Sequence, residues 1–210
     1  MKKIIISCFV AGAFMQALAN PHAHHGMPVL DAQAQNVVDL MHSPMMQADF
    51  VESGNPNIDF LKNMIPHHEG AILSSKKLLE NKALNPKLKK IAQEIISEQE
   101  KEIAYFNEIL RNPKELNQAL TKEQYQQFVY QEKQDMQNMM QEMSQLSQNE
   151  TLETAYMKSM IAHHNGAITA AKQILNITNN PTITKIANQI IAAQETEVKQ
   201  FKEMLLHASH

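Results

Sequence analysis

An all-α fold, a four-helix bundle built from two repeated helical hairpins with an additional Met-rich connecting helix, is predicted by three features of this 210-residue chain. First, one segment is written twice, as "KNMIPHHEGAI" at residues 62–72 and "KSMIAHHNGAI" at residues 158–168. The duplication is wide: residues 59–79 align with 155–175 at 10 of 21 identical positions, and 91–110 with 186–205 at 10 of 20, which is too extensive for two unrelated packing stripes. Second, the two aligned blocks of each half flank an Asn-Pro turn, "NPKL" or "NPTI", so each half is a pair of elements. Third, apolar residues in these blocks recur at three and four positions, the period of one helix face.

Residues 1–19 carry two lysines, an apolar run and small residues at Ala17 and Ala19. That is the pattern of a secretory signal peptide cleaved after Ala19, and the run is too short for a membrane-spanning helix. Residues 20–35 read as a flexible tail containing His and Met, and residues 36–210 as a single helical-bundle domain with repeat halves at about 55–112 and 150–207. In the first hairpin Asn55 offers an N-cap ahead of Pro56, and Phe60, Met64, His67, His68, Ala71 and Leu78 share one face. Pro66 removes a backbone hydrogen bond and predicts a local bend, which Ala162 shows the second copy does not need. The second elements carry Ile91, Ile95, Gln99, Glu102, Ile103 and Phe106, and in the copy Ile186, Ile190, Gln194, Glu197, Val198 and Phe201. The connection, about residues 113–149, ends in "QDMQNMMQEMSQ" and predicts a further helix.

Composition narrows the function. Without the leader the chain keeps 17 basic and 22 acidic residues, a net charge of −5, and shows no basic patch, which argues against a nucleic-acid partner. The one cysteine, Cys8, lies in the leader, so the exported chain has no disulfide and must be held by core burial or by metal. All 10 histidines and 12 of the 14 methionines remain, and this Met and His content is the distinctive feature.

Successive residues on a helix turn by about 100°, so Met64 sits one turn before His67 and His68 and between them in angle. One thioether and two imidazoles therefore point at one patch, and Met160, His163 and His164 repeat it. Thioether sulfur suits Cu(I) and, by the same softness, Ag(I); imidazole also binds zinc and iron. Carboxylate-bridged bundle sites use Glu-x-x-His on two helices, and no such tetrad occurs here. Zinc would be favoured by cysteines or an H-E-x-x-H helix, which are also lacking. Gln99 and Gln194 lie on apolar stripes, where an amide needs a partner, and a ligating imidazole donates its second nitrogen to such a group. Gln99, Glu102, Gln194 and Glu197 are therefore candidate supports of the histidines. Gly70 and Gly166 predict close helix approach or space at the ligand face.

Further methionines and histidines are candidate auxiliary ligands: Met41, His42, Met45 and Met46 before the first repeat, and the stripe Met136, Met139, Met140 and Met143 in the connection. Met stripes also serve as adaptable core, so both roles stay open. His22, His24, His25 and Met27 in the tail, with His207 and His210 at the other end, offer loose imidazole capture. A square-planar amino-terminal Cu(II) site is excluded, because Pro21 has no amide proton to lose.

"DFLKNMIPHHEGAI" with "AYMKSMIAHHNGAI" resembles the family catalogued as domain of unknown function 305, which includes exported copper-binding proteins of the CopM type. The resemblance spans about residues 36–207. It implies a ferritin-like bundle, a role in periplasmic copper or silver binding and tolerance, and Met64, His67, His68, Met160, His163 and His164 as ligands. The family commonly has a further Met after the His pair and another towards the end of the second helix. Here Ser74, Ala170, Phe106 and Phe201 stand there instead, and Met41, Met45, Met46 and the 136–143 stripe are the available substitutes.

Three functions follow as expectations. The first is a non-enzymatic periplasmic protein that captures Cu(I) or Ag(I), with other copper-handling proteins as possible partners. The second is a ferritin-like metal oxidase, and the third a helical interaction module in which the His pairs are structural.

Overall fold

Three helices begin where an asparagine meets a proline. The Asn55 side chain accepts the Asn57 N–H at 3.0 Å, Asn85 accepts that of Lys87 at 2.9 Å, and Asn180 accepts that of Thr182 at 3.0 Å. The proline that follows each has no N–H to leave unsatisfied and carries a helical φ already. The computed structural model describes residues 31–147 and 150–208, and among them it contains six α-helices and no strand. These are α1 (Ala32–Gln47), α2 (Pro56–Leu78), α3 (Pro86–Ile109), α4 (Lys122–Met143), α5 (Leu152–Leu175) and α6 (Pro181–Ala208). A 3-10 turn, Pro113–Leu116, precedes α4. α2 runs unbroken through Pro66.

The hairpins α2–α3 and α5–α6 are the repeated halves, and α2 and α5 pack on each other in the middle. The ferritin-like bundle expected from the sequence is therefore present. The Met-rich connecting helix is α4, opened by a capping box of Thr121 and Gln124 and laid along α5.

α1 occupies the corresponding place on α2, and this helix departs from the sequence reading. It starts at Ala32, inside the segment read as a tail, because Asp31 caps it by accepting the Gln33 N–H at 2.8 Å. It is held by burial of Ala34, Val37, Val38 and Met41. Each half is thus three helices rather than two. The expected signal peptide, the tail residues His22, His24, His25 and Met27, and His210 lie outside the described residues. No helix among the described residues is long and apolar enough to cross a membrane.

Two apolar clusters fill the bundle, one containing Phe60, Met64, Phe106 and Ile190, the other Met41, Leu88, Met143, Met160 and Phe201. The clusters meet at four histidines of α2 and α5: Phe106 packs on His68, and Phe201 on His164.

Candidate metal centre

The repeated motifs face each other. Nε2 of His67 lies 3.1 Å from the carbonyl oxygen of His163, and Nε2 of His163 lies 3.1 Å from that of His67. Their ring centroids are 3.7 Å apart. The outer pair is arranged the same way on each side: Nε2 of His68 is 2.8 Å from Oε2 of Glu102, and Nε2 of His164 is 2.7 Å from Oε2 of Glu197. The first contact is an aligned hydrogen bond, whereas the second is close without being aligned as one. Centroids within each pair are 6.1 Å and 6.0 Å apart, so the quartet is close to two-fold symmetric.

These partners fix the chemistry of the rings. A carbonyl or carboxylate oxygen can only accept, so Nε2 carries the proton in a neutral ring and Nδ1 keeps a bare lone pair. All four Nδ1 atoms are buried without a hydrogen-bond partner. Burial holds His67 and His163 well below the usual imidazole range, and the neighbouring histidines push the same way. Each bare buried acceptor costs about 1–3 kcal/mol, and four of them at one level is expensive for packing alone. Neutral imidazoles with free lone pairs, backed by an oxygen on the opposite nitrogen, are the form in which histidine binds a metal.

The other candidates are placed as follows. Met64 and Met160 are buried one helical turn before the His pairs, in different apolar clusters. Glu102 and Glu197 reach the histidines, but Gln99 and Gln194 do not pair with them: Oε1 of Gln99 and both amide atoms of Gln194 have no partner. Met41, Met139 and Met143 are buried in the core, Met45, Met136 and Met140 are half-buried, and Met46 is exposed. His42 is buried in α1, which lowers its pKa against the pull of Asp39. His207 is exposed in the last turn of α6. Among the described residues, no three or more His, Cys, Asp or Glu converge as a cation site.

One residue with unusual surroundings escaped the sequence reading. Glu132 on α4 is buried, its Oε1 has no partner, and burial assisted by Asp135 pushes its pKa up to about 8. Its signal was available: Phe128, Glu132, Met136, Met139 and Met143 form one stripe, and a carboxyl stands among the apolar positions.

The two glycines are needed for different reasons. A Cβ on Gly70 would lie 2.2 Å from the backbone oxygen of Met41, so α1 touches α2 there through its main chain. A Cβ on Gly166 would lie 2.3 Å from Sδ of Met139, a side chain of α4.

Comparison with known proteins adds to this geometry. The model of the family described as "Domain of unknown function (DUF305)" matches residues 57–205. The chain is similar to the solved structure of CopM in its Cu(I)-bound form, with 25% identity and a TM-score of 0.53 over 73% of this chain and 98% of that one. It is similar to CopM in the Ag-bound form, obtained by soaking, at 27% identity and a TM-score of 0.50 over 72% and 95% of the two chains. Among curated proteins, the uncharacterized protein L153 of Acanthamoeba polyphaga mimivirus is 40% identical over 50 residues, 24% of this chain. The match spans about a third of that relative, 33% of its length.

Proposed function

The chain belongs to the DUF305 family, and on that premise we propose that it is a non-enzymatic periplasmic protein that captures Cu(I) or Ag(I) for buffering or tolerance. The observation that carries this reading is the buried quartet of imidazoles whose Nδ1 atoms have no hydrogen-bond partner. The likeness to CopM, whose structures hold Cu(I) and silver, supports the same metals.

In the proposed site, Met64 serves with His67 and His68, and Met160 with His163 and His164. Cu(I) and Ag(I) accept soft thioethers beside imidazole, whereas Zn(II) favours four convergent ligands. Glu102 accepts the His68 Nε2–H and Glu197 lies close to Nε2 of His164, and a carboxylate there raises the basicity of Nδ1. His67 and His163 release no proton when the metal arrives, since burial has already discharged them. The leader pattern in residues 1–19 supports export. The oxidase reading would need an open redox centre rich in carboxylates, and no observation favours it.

Anaerobic Cu(I) titration against a chromophoric chelator tests the proposal. The wild type is expected to take up Cu(I), and a variant with His67, His68, His163 and His164 replaced by Ala to lose its nitrogen-coordinated share. Equal uptake by a folded four-His variant would refute it.

A further inference from the structure

The two motif copies differ in their access to solvent. Met160, His163 and His164 are sealed in the core. Beside Met64 and His67 the packing opens into a cavity of about 90 Å³, between α1, α2, α4 and α5. Thioethers from three helices line it: Met45 of α1, Met64 of α2, and Met136 and Met139 of α4. Glu132 also lines it, 8% exposed and with Oε1 unpartnered. The other charged residues on its wall are Asp49 and Asp135, and no Lys or Arg lines it.

This lining matches one class of ligand. A thioether is neutral and soft, so it holds Cu(I) or Ag(I) but cannot offset the charge the ion brings into a low-dielectric site. The buried Glu132 carboxyl supplies that charge by releasing its proton as the ion enters, one proton out for one monovalent ion in. A hard divalent cation wants six or more oxygens, which a wall of methionines does not provide. The second copy has no equivalent. Setting Met41 opposite Met139, since each abuts the motif glycine of its half, places Ala34 and Val38 of α1 where α4 has Glu132 and Met136.

We propose that this cavity is an adjoining loading site for one Cu(I) or Ag(I) ion, with Met45, Met136 and the shared Met64 supplying thioethers, Glu132 the compensating charge, and His67 the inner wall towards the histidine quartet. The inference rests on the soft-metal reading above and extends it: the first motif is the entrance, and the second is reached through it.

The test uses the full folded chain, with anaerobic Cu(I) as the probe. Copper K-edge absorption of the first equivalent is expected to show sulfur-rich coordination. The Met45→Leu/Met136→Leu variant, at two half-buried positions, is expected to bind one equivalent fewer and to leave nitrogen-rich copper, with its Tm close to wild type. Glu132→Gln keeps every thioether and is expected to weaken that equivalent at least tenfold. Unchanged stoichiometry, sulfur signal and affinity in both variants would overturn the loading site while leaving capture by the histidines standing. A wild type that takes up no Cu(I) would overturn both.

Discussion

His67 and His163 each set Nε2 3.1 Å from the other's backbone carbonyl, across the contact between α2 and α5. The pair ties the two repeats together through main-chain acceptors, which no side-chain substitution elsewhere can remove. It also leaves both Nδ1 atoms bare.

We predict that this pair is energetically coupled. His67→Ala removes one ring–carbonyl bond and leaves a buried oxygen unsatisfied, at a cost of about 1–3 kcal/mol. His163→Ala does the same from the other side. Because the rings stack at 3.7 Å, the double variant should deviate from additivity by about 0.5–3 kcal/mol in urea unfolding of the metal-free protein. Strict additivity would mean that the rings do not support one another.

Glu102 and Glu197 should tune affinity rather than stoichiometry. Replacing either with Gln keeps an acceptor near Nε2 but removes its charge. Cu(I) affinity at the corresponding motif is expected to fall about 10–100-fold, the usual effect of losing such an outer partner. Chelator competition on the single variants measures this, and an unchanged affinity would separate the carboxylates from the metal.

Gly70→Ala and Gly166→Ala should differ, although they occupy the same motif position. The new methyl at 70 meets a backbone oxygen at 2.2 Å and can be admitted only by moving α1. We expect a loss of about 1–3 kcal/mol, in the range of overpacked cores, with α1 displaced. At 166 the obstacles are Sδ and Cγ of Met139, which a rotamer change can move, and its Cβ at 3.2 Å, which must give slightly, while Ala gains about 1 kcal/mol of helix propensity. Thermal unfolding should place this variant within about 1 kcal/mol of wild type. Equal losses would show that α4 sits as rigidly as α1.

Much of this arrangement was legible in the sequence because the repeat aligned it. The paired Met, His and Glu positions stood out by surviving in both copies, Asn55 announced a helix start through Pro56, and the Asn-Pro pairs at 85–86 and 180–181 marked the turns between paired helices. α1 was obscured because its counterpart in the other half, α4, is a polar, Met-rich helix: Val37 and Val38 align with Asp135 and Met136, and the identities within the two helices are confined to Gln33 with Gln131, Met41 with Met139 and Met45 with Met143. Gln99 and Gln194 read like Glu102 and Glu197 on the same stripe. Which of two residues three positions apart reaches a ring depends on helix rotation, which spacing alone does not fix. Glu132 was missed for a related reason, since comparing the repeats cannot reveal a residue that only one half possesses.

Glu132 and the inner histidines should give the metal-free protein a stability maximum with two separable limbs. Unfolded, Glu132 loses its proton near 4.5; folded, it holds it to about 8. Between those values the native state binds the extra proton, so this contribution is complete below pH 4.5 and is lost as pH rises towards 8. His67 and His163 act in the opposite sense. Their folded pKa values lie well below 6.5, so the unfolded chain takes up protons first and stability falls as pH drops below about 6.5. Each unit of displacement corresponds to about 1.4 kcal/mol, enough for both limbs to appear in Tm. Thermal scans from pH 4 to 9 should therefore show Glu132→Gln removing the fall between pH 6.5 and 8 and steepening the rise between 4.5 and 6.5, where the carboxyl opposes the histidines. A wild-type alkaline limb that persists in Glu132→Gln would mean that this carboxyl is already ionised in the folded protein.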